Sequence, residues 1–127
     1  MTRGWRSTAS RQRSERSARR AETLACVILV MKGYRVLDRR ARTPFGEIDI
    51  IAVRGRRLAC VEVKLRPTLE LCARSVTPRQ VQRIADASYH WAKRHRRYAR
   101  HNIGLDRVDV AGWFRFRHVP DGLADHR

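Results

Sequence analysis

Three acidic residues and one lysine interrupt two apolar segments in the middle of this chain. Glu47 and Asp49 lie in the segment 45–52, and Glu62 and Lys64 lie in the apolar segment that follows it. Because side chains two residues apart on a β-strand share one face, each pair is expected to share a face. Ionised groups among isoleucine and valine are costly unless they are paired or bind a metal. The pattern favours metal-assisted phosphodiester chemistry.

The turn between the two segments decides whether these four groups meet. Residues 55–56, Gly-Arg, predict a two-residue hairpin loop. This loop would set Asp49 opposite Glu62 and Glu47 opposite Lys64, whereas a loop shifted by one residue toward the N-terminus would set Glu47 opposite Glu62. Both registers keep the four groups on one face, and a three-residue loop would separate them.

Two interpretations of this cluster follow from the chemistry of its members. Asp49 and Glu62 would repel each other unless a cation lay between them, and Mg²⁺ (or Mn²⁺) prefers carboxylate oxygens together with phosphate. Lys64 would then hold the attacking water or neutralise developing charge. The alternative is a pair of solvent-facing ion pairs, in which Asp49 or Glu47 contacts Lys64. The G-E-x-D run followed by V-E-V-K favours the metal site.

The overall charge points to a polyanionic partner. The chain carries 29 Lys and Arg residues against 12 Asp and Glu residues, a net charge of +17. Arginine forks match phosphate geometry, so nucleic acid is the expected partner, although anionic lipid would attract the same charge. The three cysteines form no CxxC pair and predict a reducing, cytoplasmic location. The longest apolar run is too short to span a membrane, so no membrane partner is expected.

The residue periodicity predicts one domain between two extensions. Residues 1–17 are expected to form a basic, flexible arm, residues 18–119 the domain and residues 120–127 a tail. Within the domain the pattern predicts a helix over 17–33, strands over 34–40, 47–54 and 57–65, a loop over 66–75, a helix that starts at Thr77-Pro78, and strands over 107–111 and 114–119.

The segment 45–52 together with V-E-V-K resembles the YraN family of small bacterial proteins. That family is similar to Holliday-junction resolvases and belongs to the PD-(D/E)xK, restriction-endonuclease-like superfamily. The resemblance extends to residues 20–22, 32–37, 76–79 and 107–110 and covers roughly residues 18–119. It implies an α/β fold with an α-β-β-β-α-β core, in which a central mixed sheet is flanked by helices.

The resemblance also implies roles for individual residues. The catalytic residues would be Asp49, Glu62, Lys64 and Glu22, of which Glu22 approaches the site from the first helix. The metal ligands would be Asp49, Glu62 and the backbone carbonyl of Val63.

Further residues are expected to support this site or to bind nucleic acid. Glu47 belongs to the family signature and is expected to support the metal ligands through hydrogen bonds. The residues expected to contact nucleic acid are Arg42, Arg79, Gln80 and Arg83.

The chain also departs from the family pattern. The family usually has asparagine at the position of Arg40, and a glycine-rich loop in place of residues 66–75. It commonly carries lysine and then glutamine where this chain has Gln80 and Val81, which leaves open whether Gln80 or Gln82 reaches the site.

Together these observations predict a magnesium-dependent endonuclease-like protein that hydrolyses phosphodiesters in branched or structured DNA. The first alternative is a non-catalytic DNA- or RNA-binding protein that retains the nuclease fold, and the second is a basic protein bound to ribosomal RNA. Paired cuts across a junction would call for a homodimer.

Overall fold

The computed structural model describes residues 8–112 and 115–124. It contains three helices, α1 (Thr8–Met31), α2 (Leu69–Arg74) and α3 (Pro78–Arg94), with a 3₁₀ turn over Arg96–Tyr98. The strands are β1 (Arg35–Thr43), β2 (Gly46–Arg54), β3 (Arg57–Arg66), β4 (Asn102–Ala111) and β5 (Arg115–Val119). None of these helices is long and apolar enough to cross a membrane.

The five strands form one mixed sheet in the order β1-β2-β3-β4-β5. Only β3 and β4 pair in parallel, and the crossover between them carries α2 and α3. An apolar cluster lies on each face of the sheet, one beneath α1 and the other beneath α3. The predicted α/β fold, with a mixed sheet flanked by helices, is therefore confirmed.

Small residues let α1 lie close to the sheet. Ala21, Ala25 and Leu29 follow helical spacing, are buried, and belong to the same cluster as Ile50 and Val61 of the central strands. On the other face Val81, Ile84 and Trp91 of α3 form the corresponding buried stripe. Both helices are fixed against the central strands, where the unusual charges lie.

The hairpin register agrees with the two-residue loop. Arg54 pairs with Arg57 and Ile50 with Val61, and Gly55 has a φ of 58°, the conformation that the loop requires. The alternative register, with Glu47 opposite Glu62, is therefore excluded.

The ends of several elements differ from the sequence prediction. The first helix begins at Thr8, so residues 8–17 of the predicted flexible arm are helical, whereas residues 1–7 lie outside the described residues. This stretch is mostly exposed and rich in arginine and serine, so it shows no apolar stripe by which a helix could be recognised. The strand predicted over 107–111 begins at Asn102, because a parallel strand buried on both faces shows no alternation.

The predicted loop over 66–75 contains the short helix α2. The Thr68 side chain caps it by accepting a hydrogen bond from the Leu71 backbone N–H. The fully buried Cys72 thiol lies 3.4 Å from the carbonyl oxygen of Lys64, which joins α2 to the end of β3. A six-residue helix is too short to produce a recognisable period. The predicted tail also contains a buried contact, since Leu123 is buried and its N–H donates to Leu105.

A polar network in the core joins β3, β4 and the segment after β5. Asp106 is fully buried and accepts two hydrogen bonds from the Arg57 guanidinium, at 2.7 and 2.8 Å. It also bonds His118 Nε2 and the backbone N–H of Asp121. Because Lys32 can only donate to His118 Nδ1, the Nε2–H of His118 donates to Asp106. Burial alone would raise the pKa of Asp106, but the Arg57, His118 and Asp121 hydrogen bonds outweigh it and lower the pKa to about 2.

We predict that Asp106→Asn lowers the free energy of unfolding at pH 7 by about 3 kcal/mol, because Arg57 would lose its buried counter-charge. Urea denaturation measures this change. The matched control is Asp121→Asn, a more exposed carboxylate 3.4 Å from the same guanidinium, which should cost less than about 1 kcal/mol. Equal losses in the two variants would contradict the assigned importance of Asp106.

Candidate active site

The β2–β3 ladder ends just before the acidic residues. Its last paired residues are Ile50 and Val61, although both strands continue beyond them. Beyond this point the Asp49 carboxylate accepts a hydrogen bond of 2.8 Å from the Val63 backbone N–H. The side chain of Asp49 thus replaces the next rung of the ladder, so its carboxylate is held at the end of the paired strands.

The electrostatic environment of Asp49 is unfavourable for an ionised carboxylate. Burial and the negative charge of Glu62 raise the pKa of Asp49 to about 7, with a smaller contribution from Glu22. The hydrogen bond from Val63 acts in the opposite direction. The structure therefore brings together acidic groups of three elements, α1, β2 and β3.

Lys64 enters this acidic group from the same strand as Glu62. It is buried, with 4% of its surface exposed. Its Nζ lies 3.7 Å from the Glu62 carboxylate and donates a 3.2 Å hydrogen bond to Gln80 Oε1. The ammonium is thus held between a carboxylate and a neutral acceptor.

Gln80 is placed by the first turn of α3. Its Oε1 also accepts from the Thr77 backbone N–H, and the Thr77 hydroxyl accepts from the Gln80 N–H, so the two residues form a capping box. The sequence left open whether Gln80 or Gln82 reaches the site. Gln80 reaches it, whereas Gln82 is exposed and bonds Asp86 on the outside of the helix.

Arg83, one turn further along α3, links the carboxylates to β2. Its Nη2 lies 3.7 Å from Glu62 Oε1, and its Nη1 donates to the Glu47 carbonyl oxygen at 2.9 Å. Glu62 therefore contacts two cations, Lys64 and Arg83. These two contacts offset the cost of placing Glu62 beside Asp49.

Glu22 approaches the site from α1 and is paired with two arginines. It is buried, and both of its oxygens lie 3.2 Å from Nε of Arg40, with Arg39 Nη2 at 3.5 Å. Arg40 has a φ of 50°, in the left-handed region that asparagine occupies more readily than arginine. The ion pair with Glu22 accounts for an arginine at this position. Nothing in the sequence pattern indicated that pair.

The expected position of Glu47 is wrong. It was predicted to lie opposite Lys64, but the described β2–β3 ladder stops short of it and its backbone partner is Arg42 in β1. Its side chain is half exposed, with an ion-pair distance of 3.7 Å to Arg42. The Glu47 side chain is therefore directed toward Arg42 rather than toward Lys64.

The residues expected to bind nucleic acid fall into two groups. Arg42 and Arg79 are exposed, as a phosphate-binding role requires. Gln80 and Arg83 are partly buried and contact Lys64 and Glu62, respectively. The sequence carried a signal for this in T-P-x-Q, which predicts a capping box, but not for the contact with Lys64.

The oxygen atoms at this site suit a hard divalent cation. Asp49 and Glu62 supply carboxylates, and a cation between them would relieve the repulsion that raises the pKa of Asp49. Among the described residues, no group of three or more His, Cys, Asp or Glu side chains is arranged to hold a metal. A magnesium ion here would therefore depend on two carboxylates, the Val63 carbonyl, water and substrate oxygens.

Comparison with known proteins covers this same region. A protein-family model described as "Uncharacterised protein family UPF0102" matches residues 21–112, from α1 to the turn after β4. The chain is 47% identical over 100 residues to a UPF0102 protein of Rhodopseudomonas palustris (strain BisB18), which covers 79% of this chain and 74% of the relative. It is 46% identical over 99 residues to one of Bradyrhizobium diazoefficiens, covering 78% and 74%, and 46% identical over 103 residues to one of Rhizobium meliloti, covering 81% and 84%.

We predict that Asp49→Asn stabilises the metal-free protein at high pH. Because the pKa of Asp49 is raised on folding, to about 7, the wild type loses stability as the pH rises from about 4 to about 7. At pH 8 the free energy of unfolding of the variant should be on the order of 1–3 kcal/mol higher than that of the wild type. At pH 4 the two values should differ little. Urea denaturation in EDTA at the two pH values measures this difference.

The matched control is Glu47→Gln, an acid-to-amide change on the same strand at a half-exposed side chain. It should have little effect at either pH. An Asp49→Asn effect that is the same at pH 4 and pH 8 would show that ionisation of Asp49 is not its cause.

Proposed function

Since the chain belongs to the uncharacterised family UPF0102, the YraN family, we propose that it is a metal-dependent endonuclease acting on branched or structured DNA. One observation carries the proposal. A buried lysine lies 3.7 Å from Glu62, and burial together with Glu62 raises the pKa of the neighbouring Asp49, at the point where two strands stop pairing. Two partly buried carboxylates beside a buried ammonium are an expensive arrangement, and binding of a cation and a phosphate would compensate for it.

Each residue at the site has a role in this proposal. Asp49, Glu62 and the Val63 carbonyl hold Mg²⁺ or Mn²⁺, and Val63 N–H fixes the orientation of the Asp49 carboxylate. The bound ion supplies Lewis-acid activation for in-line hydrolysis of a phosphodiester. Lys64 donates from its Nζ toward the phosphate or the attacking water, and Gln80 holds that Nζ in place.

The charge of the chain supports DNA as the substrate class. A net charge of +17 favours binding to a polyanion through release of counterions. Arg42 is exposed on β1 and Arg79 is exposed on α3. Arg83 of α3 contacts both Glu62 and the Glu47 carbonyl oxygen of β2, next to β1. A phosphate chain approaching the carboxylates would therefore meet guanidinium groups.

A non-catalytic nucleic-acid-binding role is the alternative, and one observation favours it. Glu22, a carboxylate at the site, is already paired with Arg39 and Arg40. A protein that has given up metal chemistry would retain the basic surface and bind DNA or RNA without cutting it.

We predict magnesium-dependent cleavage that requires the two carboxylates and the lysine of the site. Asp49→Asn, Glu62→Gln and Lys64→Met should each reduce the cleavage rate by about 10²–10³-fold or more. Cleavage of labelled junction, flap, duplex and RNA substrates, with and without EDTA, measures this. Glu47→Gln is the matched control and should cleave like the wild type, because its side chain faces Arg42.

Cleavage that survives these substitutions would come from a contaminant and would overturn the proposal. Binding of the same substrates without any cleavage, and without heat on titration of magnesium, would establish the non-catalytic alternative.

We also predict that Gln80 acts by positioning Lys64. Gln80→Ala should lower kcat by about 10- to 100-fold with little change in KM, because the Lys64 ammonium loses its neutral acceptor. Gln80→Glu keeps an oxygen acceptor for both Thr77 and Lys64 and should retain more activity. Gln82→Ala, two residues further along α3, should match the wild type. Equal kcat values for Gln80→Ala and Gln82→Ala would refute this role.

A further inference from the structure

A phenylalanine is exposed at the tip of the hairpin that carries Asp49. Phe45 lies in the turn between β1 and β2, and 47% of its surface is exposed. From Gly46, the first residue of β2, an extended strand reaches Asp49 within about 10 Å. A large apolar ring is thus presented to solvent within a few nucleotides' length of the carboxylates.

The turn holds Phe45 in a fixed orientation. The Thr43 hydroxyl donates to the Gly46 carbonyl oxygen at 2.7 Å and accepts from the Phe45 N–H at 3.1 Å. Gly46 has a φ of 119°, a backbone conformation that favours glycine at this position of the turn. The ring therefore projects from a turn whose backbone is held by two hydrogen bonds of Thr43.

The ring contacts an imidazole, and the lining of a cavity next to that imidazole includes arginines and Asp38. Phe45 contacts His90 of α3 edge to face, with ring centroids 6.0 Å apart. Beside this pair a cavity of about 410 Å³ opens between the turn and the end of α3, lined among others by Arg42, His90 and Arg94. The Arg42 side chain is 89% exposed. An exposed aromatic ring with arginines in the neighbouring cavity is a combination that can bind an unpaired base together with its phosphates.

We propose that Phe45 is a stacking platform for an unpaired nucleotide, whose phosphates contact Arg42 and Arg94. This inference rests on the proposed function and adds a substrate class to it, namely DNA with unpaired nucleotides next to the scissile phosphate. A base inside a duplex has no free face, so Phe45 discriminates between flaps, gaps or open junctions and a plain duplex.

The test is a binding measurement in EDTA, in which no cleavage occurs. The probes are a DNA duplex with a short single-stranded flap that carries 2-aminopurine, and the same duplex without the flap. Phe45→Ala should weaken binding of the flap probe by about 5-fold or more and abolish the quenching of 2-aminopurine fluorescence, with little change for the duplex. Phe45→Trp should retain both the affinity and the quenching.

Phe116→Ala is the matched control. Phe116 has the same 47% exposure but lies on β5, three strands from β2 in the sheet. It should bind both probes like the wild type. Thermal melting of Phe45→Ala should resemble that of the wild type, since the bonds of the turn use backbone atoms and Thr43.

The inference is overturned if Phe45→Ala binds the flap probe like the wild type, or if it weakens flap and duplex equally. It is also overturned if the wild type shows no preference for the flap. Failure of the endonuclease proposal would be recognised separately, because magnesium-dependent cleavage would then be absent while the EDTA binding results still decide the role of Phe45.

Discussion

The hydrogen bond from Val63 N–H to the Asp49 carboxylate is the constraint on which the site depends. It occurs where the backbone ladder between β2 and β3 stops, so the carboxylate takes the place of a carbonyl acceptor. A backbone donor left without a partner at this depth would be costly, and the same bond partly offsets the burial that raises the pKa of Asp49. The end of the ladder is thus also what places two carboxylates side by side, because Glu62 precedes Val63.

The remaining buried charges follow a different rule from those at the site. On β4, Asp106 bonds Arg57 and His118, and Asp109 bonds Arg107 and Arg117, each through hydrogen bonds of 2.7 to 2.8 Å. These aspartates are fully surrounded by donors, which accounts for the low pKa of Asp106. Asp49 accepts one backbone hydrogen bond and faces another carboxylate. The contrast separates charges that hold the sheet together from charges that remain available to a ligand.

The sequence predicted the central elements well and their edges poorly, for physical reasons. The two-residue turn at Gly55 predicted the register of β2 against β3, because the length of a hairpin loop fixes which residues pair. The same register argument failed for Glu47, since periodicity along each strand cannot indicate where a ladder ends. Likewise the ion pair between Arg40 and Glu22 joins residues distant in sequence, and no local pattern specifies such a contact.

The helix α3 explains how one element serves both the carboxylates and the hairpin tip. Gln80, Arg83, His90 and Arg94 recur at helical spacing along its length, beside the buried stripe that contains Ile84 and Trp91. With about 1.5 Å per residue, the polar stripe from Gln80 to Arg94 is about 21 Å long. Along this stripe Gln80 contacts the Lys64 ammonium and Arg83 contacts the Glu62 carboxylate. At its end Arg94 lines the cavity next to Phe45. Because packing of the buried stripe against the sheet fixes the rotation of the helix, the core also fixes the distance between Lys64 and the cavity next to Phe45. A rigid track of this length suits a nucleic-acid strand that must be held on both sides of one phosphodiester.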